Sequence, residues 1–120
     1  MTQSAVRERS YGSVKTLWLD RDYIGRQLDK AVGTLRADPN VLNVVLFGSF
    51  AEGRAVPGSD VDVLIILQSD PRRFIDRVVD YLDIFADIGI AADVFPYTAG
   101  ELDNPLVQRA LSTGKILFER

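Results

Sequence analysis

The chain has 120 residues, 47% of them hydrophobic and 26% charged, with a formal net charge of −3, a balance that supplies one hydrophobic core and not two. It contains neither cysteine nor histidine. Disulfides, thiolate nucleophiles, cysteine zinc sites, a Ser-His-Asp triad and imidazole bases are therefore excluded, and any general base must be a carboxylate, a lysine or a tyrosine.

Residues 1–13 read as a flexible polar lead and residues 14–120 as a single domain. Residues 14–19 fit either a short strand or an extended lead-in. Asp20 then caps a helix predicted over residues 21–37, where Ile24, Leu28, Ala31, Val32 and Leu35 recur at helical spacing and Asp38-Pro39 closes the run. Two Val/Leu-rich apolar runs follow, residues 41–47 and 61–67, each with the length and β-branched content of a buried strand. Asp70-Pro71 reads as a cap with proline in the first helical position. The helix it opens has an apolar face of Phe74, Ile75, Val78, Val79, Leu82 and Phe85 and ends near Gly89. Residues 90–95 form the next strand.

Thr98 to Glu101 fits a capping box, Asn104-Pro105 restarts a helix, and Gly114 stops it before a last apolar run, residues 116–118, which suits a strand or a packed tail. The order helix, strand, strand, helix, strand, helix, with a strand-helix-strand crossover, predicts an α/β domain with a small mixed sheet flanked by helices. No segment approaches the roughly 20 consecutive apolar residues of a membrane helix, and the first residues are polar and not signal-like, so a soluble, cytoplasmic protein is expected. The arginines Arg7, Arg9, Arg36, Arg54, Arg72, Arg73 and Arg109 are scattered instead of forming a stripe. That distribution weighs against a DNA or RNA polymer as partner and leaves room for a small anionic ligand bound through metal.

The chemistry concentrates in residues 48–63. Gly48 at a strand end allows close backbone approach, and Ser49, if it opens a short helix, offers amides and a hydroxyl to an anion such as a triphosphate. Asp60 and Asp62 stand two apart at the start of a strand, so their carboxylates leave the same face and together can bridge metal ions. If residues 41–47 and 61–67 pair antiparallel, Gly48 lies beside these acids, and a parallel third strand brings Asp93 to the same edge. Asp93 is the one acid in the apolar run Ile90-Ala91-Ala92-Asp93-Val94-Phe95, where an unpaired charge is costly; a metal ligand or general base explains it.

Gly48-Ser49, a spacer of about ten residues, Asp60-Val61-Asp62 and a later Asp93 resemble the minimal nucleotidyltransferases of the DNA polymerase beta superfamily. The resemblance runs from the helix before Val41 to Asp93 or slightly beyond. It implies the nucleotidyltransferase fold and transfer of a nucleoside monophosphate, chiefly AMP from ATP. Gly48 and Ser49 would hold the triphosphate, with Arg54 and Ser59 beside it. Asp60 and Asp62 would ligate two magnesium ions, or manganese, and Asp93 would assist with metal and accept the acceptor's proton. It also implies a protein acceptor, since many such domains are antitoxins of a HEPN-domain partner that they modify or bind. Many members carry arginine where this chain has Phe50 and Glu52. Glu52 puts negative charge where phosphate would approach, and Arg54 could compensate. Those two residues motivate an alternative: a module of this fold with little or no catalysis that neutralises its partner by contact. With no room for an acceptor-binding lobe, the chain is expected to complete its site in an oligomer or heteromeric complex.

Other features have simpler explanations. Gly48 to Gly53 approaches a P-loop, but Arg54 and Ala55 replace the required lysine and hydroxyl residue, which excludes it. Asp76, Asp80, Asp83 and Asp87 fall on one helix face opposite the apolar stripe and read as a solvated surface. Trp18, Tyr81 and Tyr97 read as core or edge aromatics, since no basic groove accompanies them. Phe50 either packs or stacks on a base. Arg72 and Arg73 read as a solvated first helical turn.

Overall fold

The computed structural model describes residues 4–120. Six strands and three helices follow in the order β1 (Val6–Tyr11), β2 (Val14–Leu19), α1 (Arg21–Arg36), β3 (Val41–Phe47), β4 (Val61–Leu67), α2 (Phe74–Leu82), β5 (Ala92–Thr98), α3 (Pro105–Thr113) and β6 (Lys115–Glu119). Short 3₁₀ turns at Asp83–Phe85 and Ala99–Glu101 follow α2 and β5.

Four strands form a mixed sheet in the order β5-β4-β3-β6. β4 runs antiparallel to β3 and parallel to β5, as a crossover through α2 requires, and β6 closes the far edge as a strand antiparallel to β3. Strand alternation divides the side chains of β4. Val61, Val63, Ile65 and Leu67 enter the main core, which α1 covers with Ile24, Leu28, Ala31, Val32 and Leu35. Leu64 and Ile66 face the other way, onto a smaller cluster closed by Val107 and Ala110 of α3. Asp62 belongs to this second, more thinly covered face.

Asp20 caps α1 by accepting from the Tyr23 amide at 3.0 Å. Thr98 and Glu101 form the expected capping box, and Asn104 caps α3 through the Leu106 amide at 2.9 Å. Gly114 is needed where α3 meets β3, because a Cβ there would stand 2.6 Å from Val45 Cγ1 and 2.8 Å from the Leu46 carbonyl.

α2 departs from the expected helix. It begins at Phe74 with Arg73 as its N-cap, while the Asp70 carboxylate accepts from the Arg72 amide and guanidinium instead of capping a helix. Ile75, Val79 and Leu82 of the expected apolar face are exposed, and Arg77 and Tyr81 are buried in their place. The cause is Arg77. Its guanidinium donates to the carbonyls of Arg72 (3.1 Å), Asp70 (3.0 Å) and Pro96 (3.3 Å) and to the Glu101 carboxylate (2.7 Å). Four acceptors on three chain segments fix the helix's rotation more firmly than the apolar stripe does. Asp76, Asp80, Asp83 and Asp87 are exposed, as expected. Arg72 pairs with Asp70 and Asp80, and Arg73 with Asp76, so both arginines belong to surface ion pairs.

Within residues 1–13, Met1 to Gln3 lie outside the described residues, and Val6–Tyr11 is the first strand of a hairpin with Val14–Leu19. The hairpin turns at Gly12, where φ is +61°. Its base is tied down by the Ala5 amide donating to Gly89 O, the Asp20 amide donating to Ala5 O, and the Arg7–Asp20 ion pair. Tyr11 and Val14 at its tip and Leu17 and Trp18 nearer its base are exposed, so Trp18 is a hairpin aromatic. Tyr81 belongs to the core and Tyr97 stacks on Phe74 with ring centroids 4.8 Å apart. No helix among the described residues is long and apolar enough to cross a membrane.

Candidate active site

The carboxylates gather where three chain passages meet at one edge of the sheet. Phe47, the last residue of β3, lies opposite Asp62, and Asp62 lies opposite Asp93 in the parallel β4/β5 register. Neighbours in register share a face, so Asp62 and Asp93 project together on the α3 side, with Asp60 two residues upstream. Half-buried Asp62 has a pKa raised above the ordinary carboxylate range, first by burial and then by the charges of Asp93 and Asp60. No cation offsets this repulsion: none of the three takes part in an ion pair among the described residues. Among those residues no three acids converge tightly enough to form a finished metal cage. The donor set still suits a hard divalent cation, which prefers carboxylate oxygens.

The expected burial of Asp93 is not found. It is exposed, at the open end of an edge strand, so the high cost assigned to a charge in an apolar run does not apply. What sets it apart is its register with Asp62.

Gly48 follows Phe47 with φ +76°, and a Cβ at this position would overlap Asp62 Oδ2 and stand 3.3 Å from Asp62 Cγ. Glycine is therefore required twice, by backbone conformation and by the neighbouring acid. Residues 48–53 form one closed turn, not a helix: the Glu52 amide donates to Gly48 O, Gly53 to Phe50 O, and Arg54 to Ser49 O at 2.8 Å. The amides of Ser49, Phe50 and Ala51 have no protein acceptor among the described residues, which leaves consecutive donors beside the acids for an anion.

A cavity of about 450 Å³ opens here, lined by Phe47, Gly48, Glu52 and Asp62 on one side and by Pro105, Leu106, Arg109 and Thr113 of α3 on the other. Several expected site residues stand apart from it. Arg54 pairs with Glu52 at 2.7 Å. Ser59 accepts from the Val56 amide and closes a turn, and with Asp60 it lines a separate cavity of about 190 Å³. Phe50 packs against the main core on the α1 side, with the Arg21 guanidinium 5.9 Å above its ring, so packing and not base stacking is its role. The sequence reading missed Arg109. Its helical spacing from Leu106 and Thr113 was visible, but nothing in the spacing said that this face of α3 meets the Gly48 turn.

Comparison with known proteins agrees with this fold. The sequence model of the family described as "Polymerase beta, Nucleotidyltransferase" matches residues 29–120, most of the chain. The chain belongs to the polymerase beta nucleotidyltransferase family. Its fold is the one seen in a Sulfolobus solfataricus crystal structure described as an inferred nucleotidyltransferase, with a TM-score of 0.61 at 22% identity over 83% of this chain and 86% of that one. The Methanocaldococcus jannaschii protein MJ1305, named for an inferred protein adenylyltransferase activity, is 34% identical over 89 residues; the match takes in 68% of this nucleotidyltransferase chain and spans 60% of that relative's length. A similar fold, with a TM-score of 0.50 at 20% identity over 79% of this chain and 73% of the other, occurs in a complex of a tri-AMPylated Shewanella oneidensis HEPN toxin with its MNT antitoxin.

Proposed function

We propose that this nucleotidyltransferase moves the adenylyl group of ATP to a hydroxyl on a partner protein of HEPN type. Asp60, Asp62 and Asp93 hold divalent metal, and Gly48 and Ser49 receive the triphosphate. The observation that carries this reading is the alignment of Phe47, Asp62 and Asp93 across three adjacent strands, with Gly48 against the Asp62 carboxylate, open amides on one side and uncompensated carboxylates on the other. Two magnesium or manganese ions, when bound, supply charge stabilisation to the attacking and leaving oxygens of an in-line displacement. The acceptor oxygen bonds to the α-phosphorus, the bond to the bridging oxygen breaks, and pyrophosphate leaves with the electron pair. Asp93, exposed at the rim, takes the acceptor's proton. A HEPN-type acceptor is supported by the AMPylated toxin of the Shewanella complex, with self-association as the other partnership.

Glu52 favours a second reading. It lines the cavity and ties up Arg54, which suits a module that neutralises its partner by contact with weak turnover or none. Incubation with α-labelled ATP, magnesium and a HEPN-type protein separates the two. Label on the partner, lost in the Asp60→Asn, Asp62→Asn double variant, supports transfer; a stable unlabelled complex supports the module.

A further inference from the structure

The Gly48 to Gly53 turn does not supply a free cation to a bound phosphate. Arg54, the basic residue that follows that turn, is held by Glu52 at 2.7 Å, and Glu52 itself adds negative charge to the cavity wall. With metal held by Asp60, Asp62 and Asp93, a triphosphate in this cavity would still find no free cation on that turn. Arg109 stands on the same cavity, across from Asp62, and has no ion pair among the described residues. Asp62 and Arg109 line the same cavity and make no ion pair with each other among the described residues, so the two opposite charges face one cavity without meeting. That separation suits an anion lying between the metal-binding carboxylates and the guanidinium.

Thr113, Arg109, Leu106 and Pro105 succeed one another along one face of α3. The Thr113 end lies at the Gly48 edge, because Gly114 packs on Val45 and Leu46 and Lys115 pairs with Leu46. The groove thus runs from the carboxylates past a guanidinium to an apolar wall of Leu106 and Pro105.

We propose that Arg109 is the phosphate-binding cation of this site, and that α3 supplies the positive charge which the Gly48 turn does not. The inference rests on the nucleotidyltransferase reading above and adds to it the residue that discriminates a triphosphate from an unphosphorylated nucleoside. Guanidinium groups bind phosphate oxygens through paired, charge-assisted hydrogen bonds, and Arg109 is exposed enough to turn toward one.

The test is calorimetric titration of wild type, Arg109→Ala, Arg109→Lys and the Asp60→Asn, Asp62→Asn double variant with ATP, inorganic tripolyphosphate and adenosine, each with manganese present, and with manganese alone. Arg109→Ala should raise Kd for ATP and for tripolyphosphate by roughly 10- to 100-fold. Its Kd for adenosine and for manganese and its apo Tm should stay as in wild type, and Arg109→Lys should recover part of the loss. Wild-type phosphate affinity in Arg109→Ala overturns the inference, as does an equal loss of manganese binding and thermal stability, which would make the residue structural. If the double variant loses ATP while Arg109→Ala keeps it, the nucleotidyltransferase reading stands and the role of Arg109 falls. If wild type binds neither ATP nor tripolyphosphate, both fall together.

Discussion

Two acidic groups in this protein differ in one respect, the company of arginine. On and before α2, Asp70, Asp76 and Asp80 are matched by Arg72 and Arg73, and Asp70 is held down to about pKa 2, chiefly by its hydrogen bond from Arg72. At the sheet edge, Asp62 faces Asp93 and Asp60 with no cation, and its pKa moves the opposite way. Pairing marks the first group as surface structure. The second group has no such counter-charge among the described residues, and its carboxylates lie on adjacent strands instead of one helix face. Counting acids would rank these clusters alike; their counter-charges and the elements carrying them do not.

Replacing the sheet-edge carboxylates should produce the largest change. Asp60→Asn with Asp62→Asn removes charge and chelating capacity with little change in volume. Transfer should fall by roughly 100- to 1,000-fold, the size seen when preorganised charge stabilisation is lost. Magnesium or manganese with ATP should raise the wild-type Tm by mass action and leave that of the double variant unmoved. The apo variant should be folded and slightly more stable than apo wild type, because three like charges no longer repel. Equal responses of the two proteins to metal and ATP would place the sheet-edge group with the α2 acids as ordinary surface.

Arg77→Met tests the opposite side of the comparison. It leaves Glu101 and the carbonyls of Asp70, Arg72 and Pro96 without their shared donor. Glu101 is partly solvated, so the loss should be about 2 to 3 kcal/mol in urea unfolding, below the cost of breaking a fully buried pair. Metal binding at the far end of β4 should be unaffected, and a loss of both would link the two regions.

The helices, strands and sheet-edge geometry differed in how legible they were. Val41–Phe47 and Val61–Leu67 were readable to the residue because buried strands need unbroken apolar runs, and α1 because its five apolar positions all fall on one stripe. Crossover logic carried that reading to the Asp62–Asp93 register. The rotation of α2 was hidden, since it is set by carbonyls of Asp70, Arg72 and Pro96, and backbone acceptors leave no trace in residue type. The hairpin strand Val6–Tyr11 was hidden too, because a ribbon exposed on both faces carries no alternation of apolar and polar residues. Arg109 escaped for a third reason: a cavity between a helix and a turn is a tertiary fact.

Gly48→Ala sharpens the sheet-edge side with a smaller effect. Alanine at φ +76° is strained, and its Cβ would push the Asp62 carboxylate aside. A loss of about 1 to 2 kcal/mol in stability should accompany a loss of metal response out of proportion to it. Gly53→Ala is the control: its φ is +72°, yet no atom lies within 4 Å of a Cβ there, so it should lose comparable stability and keep the metal response.

The smallest effect concerns pH. Asp70 has a folded pKa of about 2, below the usual carboxylate value, so the folded state holds its ionised form more tightly than the unfolded chain does. Its contribution is fully present above the unfolded pKa of about 4 and disappears as pH falls toward about 2. Asp62, raised by burial and by Asp93 and Asp60, acts in the other sense: ionised Asp62 opposes folding of the apo chain, and acid relieves that opposition. Acidification therefore weakens the paired group while easing the unpaired one. Asp70→Asn should lower stability at neutral pH by no more than about 1 kcal/mol, since Arg72 is well solvated. It should also flatten the decline between about pH 4 and pH 2 in urea unfolding series. A decline as steep as that of wild type would mean that Arg72 does not hold Asp70 in solution, and the distinction between the two acidic groups would then rest on the repulsion at Asp62 alone.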